Sequence, residues 1–398
     1  MRRRSKIRSN STVRWTCAIV FVTFSFLWLF RFQADVLAAV QHVMSGGRTH
    51  YHPLLGAVII TLLLQLLQLL VYTFFFRLTN RGHAFTYFPS MLVLALISAV
   101  NTDLAQSYAW GFWWIMIILV LAGWVGVCLV VCYIQNVEPD RNAQPFFSCP
   151  MWINMLVLFL MMVGVAAVGN TNAVFHYRMR AETCLLRDDY KGALDAGWES
   201  LESDVHLQMI RMYAMAKRGE LGDRLFRYPI VGNSSVMLPT NDEARFVRYP
   251  VDSLYRAFGA KPARPMLPTT YLRLISSRTC QSDSDGLSSS VRDYLLCGLL
   301  IDRRLDDFVA LLQQSYSIGD SLDTNRLPKH YCEALTLYCH SRRHPKVLYR
   351  NAVMEEDYSN LQELEKKYLN ATERKGKIED WYGDTYWYYY KYPSLAHP

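Results

Sequence analysis

Charged residues are distributed very unevenly along the chain. Residues 1–169 carry only 11 of the 42 lysines and arginines and 4 of the 34 aspartates and glutamates, although they form about two fifths of the 398 residues. A stretch so poor in charge cannot supply a water-soluble surface, where most charged side chains of a protein lie. The asymmetry predicts a membrane-embedded first part, residues 1–169, and a water-soluble second part, residues 170–398.

Five apolar runs in the first part approach the length of about 20 residues that a helix needs to cross the hydrocarbon core of a bilayer. The third run is the least secure because it is short and contains Pro89. The basic leader before the first run is typical of a signal peptide, but the absence of a good cleavage site favours an uncleaved anchor. The predicted spans are residues 15–30, 54–76, 84–100, 109–133 and 151–169.

The position of the basic residues indicates the orientation. Six lysines and arginines precede the first span, and such clusters stay on the cytoplasmic side of a membrane. Five spans then place the second part outside the cytoplasm, so we predict a multi-pass inner-membrane protein with a periplasmic C-terminal domain. The expected partners are the lipid bilayer and a periplasmic or membrane protein. Nucleic acid is not expected, because the excess of basic charge serves topology.

Polar residues are rare inside the predicted spans. None of these spans contains aspartate, glutamate, lysine or arginine, which argues against an ion-coupled transporter. Gln65, Gln68 and Asn154 do lie within spans. We expect them to make hydrogen bonds between helices, with a substrate path as the alternative.

The first outer loop contains the strongest candidates for chemistry in the membrane part. Its apolar residues predict a short amphipathic helix that starts at Asp35 and ends at two glycines. A carboxylate at that position stabilises the helix dipole. The alternatives are that Asp35 is a catalytic base, as in membrane glycosyltransferases with an acidic residue in this loop, or that His42, His50 and His52 bind a metal ion.

The second part has the pattern of amphipathic helices. Residues 185–194 resemble the turn of a tetratricopeptide helix pair, and residues 216–225 and 300–309 repeat the pattern. Six prolines in the segment 228–290 predict an irregular connector. The fold class predicted for the whole chain is therefore all-α: a five-helix transmembrane bundle followed by a tetratricopeptide-like, solenoid-like domain.

Two further groups of residues stand out in the second part. Cys339, His340 and His344 have a spacing that suits zinc, although basic residues at a helix end also stabilise its dipole. No sequence motif for a cofactor is present, so none is predicted. The aromatic tail 381–392 predicts either a packed cap of the domain or an exposed contact surface, with four candidate contact residues: Trp381, Tyr386, Trp387 and Tyr389.

Several segments together resemble a known family. They are the helix pair around Tyr190, the run 218–229, the run 327–335 and the tail 384–390. With the preceding apolar spans, they resemble an uncharacterised family of inner-membrane proteins from Bacteroides-type bacteria, a domain of unknown function. The resemblance implies the membrane topology given above and supplies no activity or site residue.

Two hypotheses of function remain open. The chain is either a membrane-anchored interaction protein, with a helical-repeat surface facing a periplasmic partner, or a membrane enzyme of envelope polysaccharide or lipid metabolism with Asp35 near the outer face. The lone acidic residue favours the first hypothesis over the second.

Overall fold

The computed structural model describes residues 2–74, 82–101, 113–137, 149–279, 285–316 and 327–392. In these residues the regular structure is helical, with 18 α-helices and no β-strand. The all-α prediction is therefore confirmed for this part of the chain. Two compact units are present, an N-terminal unit, Met1–His176, and a C-terminal unit, Tyr177–Pro398.

Six α-helices and the start of a seventh form the described part of the N-terminal unit. A π-helical turn, Trp28–Phe32, extends the first helix, and a 3-10 helix, His83–Tyr87, precedes the fourth. The helices are α1 (Arg2–Leu27), α2 (Ala34–Ser45), α3 (Pro53–Phe74), α4 (Phe88–Ser98), α5 (Trp113–Val137), α6 (Cys149–Val168) and α7 (Ala173–Leu185).

The long helices of this unit bury one face and leave an apolar face exposed. Helix α1 packs against α3 and α6, and α4 packs against the same two helices. Leu62, Leu66 and Leu70 on the outer face of α3 are more than half exposed, whereas a helix in water would carry polar residues there. The buried positions of α3 recur every three or four residues: Ala57, Thr61, Leu64, Gln68 and Val71.

Among the described residues, three helical stretches, rather than the predicted five, are long and apolar enough to cross a membrane: Thr12–Phe32, Pro53–Phe74 and Met151–Val168. The run 84–100 fails because its α-helical part, α4, has only 11 residues. Pro89 lies in the first turn of α4, where a missing N–H is tolerated, so the α-helix begins there. In the next run, residues 109–112 lie outside the described residues, and the described apolar stretch of α5 covers Ile115–Val131.

The short amphipathic helix predicted in the first outer loop is confirmed as α2. It is followed by Gly46, whose φ of 58° is left-handed and suits the absence of a side chain. Val36 and Leu37 are buried, whereas Met44 is 84% exposed. Helix α2 therefore combines a packed face with an exposed apolar end, as helices at a membrane interface do.

The C-terminal unit is built around three central helices. Helices α9 and α15 each bury nine consecutive residues, and α13 packs against α9, α11, α12 and α14. After the end of α7, the helices of this unit are α8 (Tyr190–Asp195), α9 (Val205–Arg218), α10 (Leu221–Arg224), α11 (Val251–Phe258), α12 (Pro268–Thr279), α13 (Asp285–Ile301), α14 (Leu305–Ser315), α15 (Lys329–Ser341), α16 (Ala352–Lys367), α17 (Ala371–Tyr382) and α18 (Tyr386–Lys391).

The repeat prediction is correct locally but a tetratricopeptide arrangement is not confirmed. Ala193, Leu194 and Leu225 are buried as the repeat alignment requires, and Tyr190 is half-buried. The second helix of the first two pairs is nevertheless very short, with six residues in α8 and four in α10, and only the third pair has a longer one, α14, with 11 residues. A regular repeat needs longer paired helices to cover its neighbours. The chain instead enters the irregular, proline-containing segment before α11.

Candidate functional site

A chain of hydrogen bonds links α3 to the 3-10 helix inside the N-terminal unit. The side-chain amide of Gln65 donates to Gln68 Oε1 over 2.9 Å, and the amide of Gln68 donates to Thr86 Oγ1, also over 2.9 Å. Thr86 Oγ1 in turn donates to the backbone oxygen of His83 over 2.7 Å. The predicted interhelical hydrogen bond of Gln68 is confirmed, whereas Gln65 bonds within its own helix.

Asn154 makes the second interhelical connection. Its Oδ1 accepts the N–H of Ala84 over 2.7 Å, which joins α6 to the start of the 3-10 helix. Trp28 Nε1 also donates to Ser98 Oγ over 2.8 Å, from the π-helical turn to the end of α4. Hydrogen bonds of this kind are worth about 1 kcal/mol each in a membrane. They fix the helices around the polar chain of Gln65, Gln68 and Thr86.

The same helices enclose a groove of about 590 Å³ between α1, α3 and the 3-10 helix, called here the α1–α3 groove. At one end the Arg14 guanidinium lies 4.5 Å from the centre of the Tyr72 ring. His83 is 2% exposed and lines the groove. Its Nδ1 has no hydrogen-bond partner among the described residues. The groove therefore combines one cation with unpaired polar atoms such as His83 Nδ1, beside apolar walls.

Sequence reasoning treated Arg14 only as an indicator of topology and gave His83 no role. The signal is helix geometry: the candidate spans Thr12–Phe32 and Pro53–Phe74 are antiparallel, so the start of the first and the end of the second meet. Arg14 and Tyr72 lie near those two ends. The antiparallel order follows from two consecutive spans, but their relative rotation depends on packing, which sequence alone does not give.

The candidate residues of the predicted first outer loop do not form one site in the structure. Asp35 lies in the first turn of α2, where its charge stabilises the helix. His52 Nδ1 accepts the N–H of Leu55 over a long 3.5 Å, and His50 is exposed. His42 and its neighbours form no group of three metal-ligating side chains, and none occurs elsewhere in the described residues. A catalytic role for Asp35 stays a prediction.

The zinc candidates of the C-terminal unit have other partners. His340 Nε2 lies 2.7 Å from Glu355 Oε2, so this histidine connects α15 to α16. Cys339 Sγ donates to the backbone oxygen of Val347 over 3.4 Å. His344 is exposed beyond the end of α15. These contacts tie the C-terminal end of α15 to the next helix and the segment before it.

A buried carboxylate that the sequence did not reveal organises the irregular segment before α11. Glu182 on α7 is fully buried and accepts backbone N–H groups from Val247, Arg248 and Tyr249, at distances of 2.7 to 3.3 Å. The Arg178 guanidinium lies 3.7 Å from the same carboxylate. Three backbone donors converging on one charge are strong, charge-assisted hydrogen bonds. They fix a proline-containing stretch that has no regular structure of its own.

A second buried carboxylate joins the aromatic tail to α15. Glu333 is 1% exposed, and its Oε2 accepts the N–H of Tyr386 over 2.7 Å and lies 2.9 Å from His330 Nδ1. His330 Nε2 accepts the N–H of Phe226 over 3.4 Å. The proton of a neutral His330 ring therefore lies on Nδ1 and is donated to Glu333. This network has a structural role, because each of its bonds ends on the protein's own backbone or side chains.

Asp293 on α13 faces two tyrosines in the core. Tyr331 and Tyr316 donate to its Oδ1 over 3.1 and 3.3 Å. Burial raises the pKa of Asp293 above its ordinary value, and the two tyrosine hydrogen bonds oppose this effect only in part. Burial likewise raises the pKa of the neighbouring Cys297 thiol, so this thiol is protonated and unreactive near neutral pH.

The raised pKa of Asp293 gives a pH-dependent stability. A carboxyl group whose pKa is higher in the folded state contributes its stability at low pH and loses it as pH rises through that pKa. Raising the pH from about 4, near the ordinary aspartate pKa, should therefore destabilise the wild type relative to Asp293→Asn. Thermal unfolding of both proteins in mild detergent at a series of pH values measures the difference. Parallel curves would contradict the prediction.

The aromatic tail mainly forms a packed cap. Tyr386 and Trp387 on α18 are buried, and Trp387 Nε1 donates to the backbone oxygen of Glu333 over 2.7 Å. Tyr389 is half-buried, and its ring lies 4.8 Å from the Arg303 guanidinium. Of the four candidate contact residues, only Trp381 is largely exposed, at 76%. Helix α18 therefore forms the packed cap, whereas Trp381 remains the candidate contact residue.

Two exposed apolar side chains lie at one end of the α16–α17 hairpin. The Tyr382 hydroxyl donates to the backbone oxygen of Asp357 over 3.4 Å, so the end of α17 lies beside the first turns of α16. Trp381 and Val353, at this end of the two helices, are 76% and 64% exposed. We call Val353 and Trp381 the hairpin-end patch. Leu369, in the turn at the other end, is exposed alone.

Comparison with known proteins gives one match, in this same region. Residues 288–393 match a family of unknown function, DUF6057. Neither the curated proteins nor the solved structures give a match. The DUF6057 segment begins within α13 and includes α14 to α18, so it contains Glu333, Trp387 and the hairpin-end patch. The predicted resemblance to a family of unknown function is confirmed over this segment.

Proposed function

We propose that the chain is a membrane-anchored interaction protein of the bacterial inner membrane. The N-terminal unit supplies the anchor, and the C-terminal unit presents a helical surface to a periplasmic or membrane protein. The observation that carries the proposal is the hairpin-end patch. Exposed tryptophan is enriched at protein contacts, and Trp381 and Val353 are both exposed at the same end of a hairpin whose other large aromatic residues are at least partly covered.

The surroundings of the patch support a protein as its partner. The exposed positions of α17 around Trp381 carry both signs of charge, including Lys377, Glu379 and Asp380. An apolar centre with a mixed polar rim is the usual anatomy of a protein interface. A lipid surface would favour a predominantly basic rim instead.

Site-specific crosslinking in cells tests this proposal. A photoreactive amino acid at Trp381 should give one discrete adduct, and the same probe at Glu373, on an exposed part of α17 away from the patch, should not. The partner is then identified, and its own contact position should crosslink back to Trp381. A discrete adduct at both positions, or at neither, would contradict the proposal.

The proposed orientation is the same for the three candidate spans and for the five predicted spans. Three spans and the five predicted spans are both odd numbers, and either count puts the two termini on opposite sides. The basic leader keeps the N-terminus in the cytoplasm. The C-terminal unit then lies in the periplasm, where the partner is expected.

A reporter fusion gives the test of this orientation. A reporter that is active only in the periplasm, fused after Pro398, should be active, and a reporter active only in the cytoplasm should be silent there. The matched control is the same pair of reporters fused after residue 49, in the first outer loop, which should give the same result. Cytoplasmic activity after Pro398 with periplasmic activity after residue 49 would mean an even number of spans.

A further inference from the structure

The α1–α3 groove has two chemically different parts. Its cationic end is Arg14, which among the described residues has the Tyr72 ring as its neighbour and no acidic partner. Beyond Arg14 the groove follows α1 to Val22, a distance of about 12 Å at 1.5 Å per residue. Ala18 and Ile19 form its wall along this length. A cation followed by an apolar track is the complement of an anionic amphiphile.

The rim of the groove is open to the surroundings of the bundle. Trp15 and Ile19 are 68% and 62% exposed, and Leu69 on the opposite wall is 44% exposed. These side chains belong to two of the candidate membrane spans. A lipid can therefore enter from the side, with its acyl chain lying against the exposed apolar rim.

Two buried polar atoms of the groove have no hydrogen-bond partner within the described part of the chain. They are His83 Nδ1 and Gln65 Oε1, and both residues line the groove. Buried polar groups in proteins are nearly always hydrogen-bonded, because an unpaired group costs about 1–3 kcal/mol. His83 lies beside the Tyr72 ring that faces Arg14, at the cationic end of the groove. A ligand hydroxyl at this end would satisfy His83 Nδ1.

We propose that the α1–α3 groove binds one anionic phospholipid with a hydroxyl-bearing headgroup. The phosphate lies at Arg14, a headgroup hydroxyl bonds to His83, and an acyl chain follows Ala18 and Val22. The charge of Arg14 selects an anionic over a zwitterionic lipid, because the zwitterionic headgroup adds a second cation at the same end. This site is independent of the interaction surface on the C-terminal unit.

Native mass spectrometry of the full chain in mild detergent tests the site. Dioleoylphosphatidylglycerol should bind with a stoichiometry of one and more tightly than dioleoylphosphatidylcholine. Arg14→Gln should weaken phosphatidylglycerol binding by about tenfold, the loss expected for a charge-assisted hydrogen bond, and Arg14→Lys should retain most of it. The matched control is Arg31→Gln, which removes an exposed arginine after the other end of α1 and should leave binding unchanged.

A second variant tests the apolar track without changing any charge. Ala18→Phe places a ring in the groove and should weaken the binding of both lipids. Melting temperature and monodispersity in detergent establish that each variant is folded. Equal binding of the two lipids to the wild type, or equal losses in Arg14→Gln and Arg31→Gln, would overturn the proposal. Unchanged binding in a folded Ala18→Phe variant would also overturn it, because the lipid would then lie elsewhere on the bundle.

Discussion

Replacing Trp387 with alanine should destabilise the C-terminal unit by about 3–5 kcal/mol, the usual cost of removing a buried tryptophan. Trp387 is 2% exposed, and its ring lies 5.2 Å from that of Tyr358. The substitution also leaves the backbone oxygen of Glu333 without the indole N–H that it accepts. The loss therefore combines an apolar cavity with an unpaired buried acceptor.

The chain contains its own matched control for this experiment. Trp381 lies six positions earlier and is 76% exposed, so Trp381→Ala should change the free energy of unfolding by less than about 0.5 kcal/mol. Urea unfolding of the full chain in mild detergent, followed by far-UV circular dichroism, measures both variants. Similar losses in the two variants would show that α18 does not pack as described.

Replacing Glu182 with alanine should have an effect of the same size, about 3–5 kcal/mol, because it removes one partner of a buried charge pair. The N–H groups of Val247, Arg248 and Tyr249 would lose their common acceptor. The Arg178 guanidinium, whose side chain is 7% exposed, would lose its counter-charge. The irregular segment before α11 should become open to protease while the helices remain folded.

Two further variants separate the charge of Glu182 from its shape. Glu182→Gln keeps one acceptor oxygen and should lose less stability than Glu182→Ala. Glu202→Ala removes an exposed carboxylate and should be nearly neutral. Limited proteolysis, with the cut sites located by mass spectrometry, gives the readout. Protection of residues 240–250 in Glu182→Ala would contradict the role assigned to the carboxylate.

The helical nature of the chain could be predicted because it depends on local patterns. Helix α2 and its end at Gly46 follow from apolar spacing and a glycine, and α15 starts directly after Pro328. The predicted third span differs from the structure for a local reason as well. Hydropathy does not show that Pro89 starts a short α-helix instead of lying within a long one.

The contacts that build the candidate site could not be predicted, since they join residues distant in sequence. Glu182 meets a backbone segment 65 residues later, and Glu333 meets Tyr386 53 residues later. In the sequence both glutamates look like ordinary polar positions of amphipathic helices. Only packing shows that they are buried, and only packing places Arg14 beside Tyr72.

The pairing of Glu333 with Tyr386 has a consequence for protein synthesis. The carboxylate needs an N–H that is synthesised 53 residues later, a delay of roughly 3 to 11 s at bacterial or eukaryotic elongation rates. Until α18 arrives, Glu333 must stay in water, and the otherwise buried apolar face of α15 stays open with it. Every round of translation therefore includes an interval in which a nearly finished domain exposes its central helix, and chaperones would have to protect it.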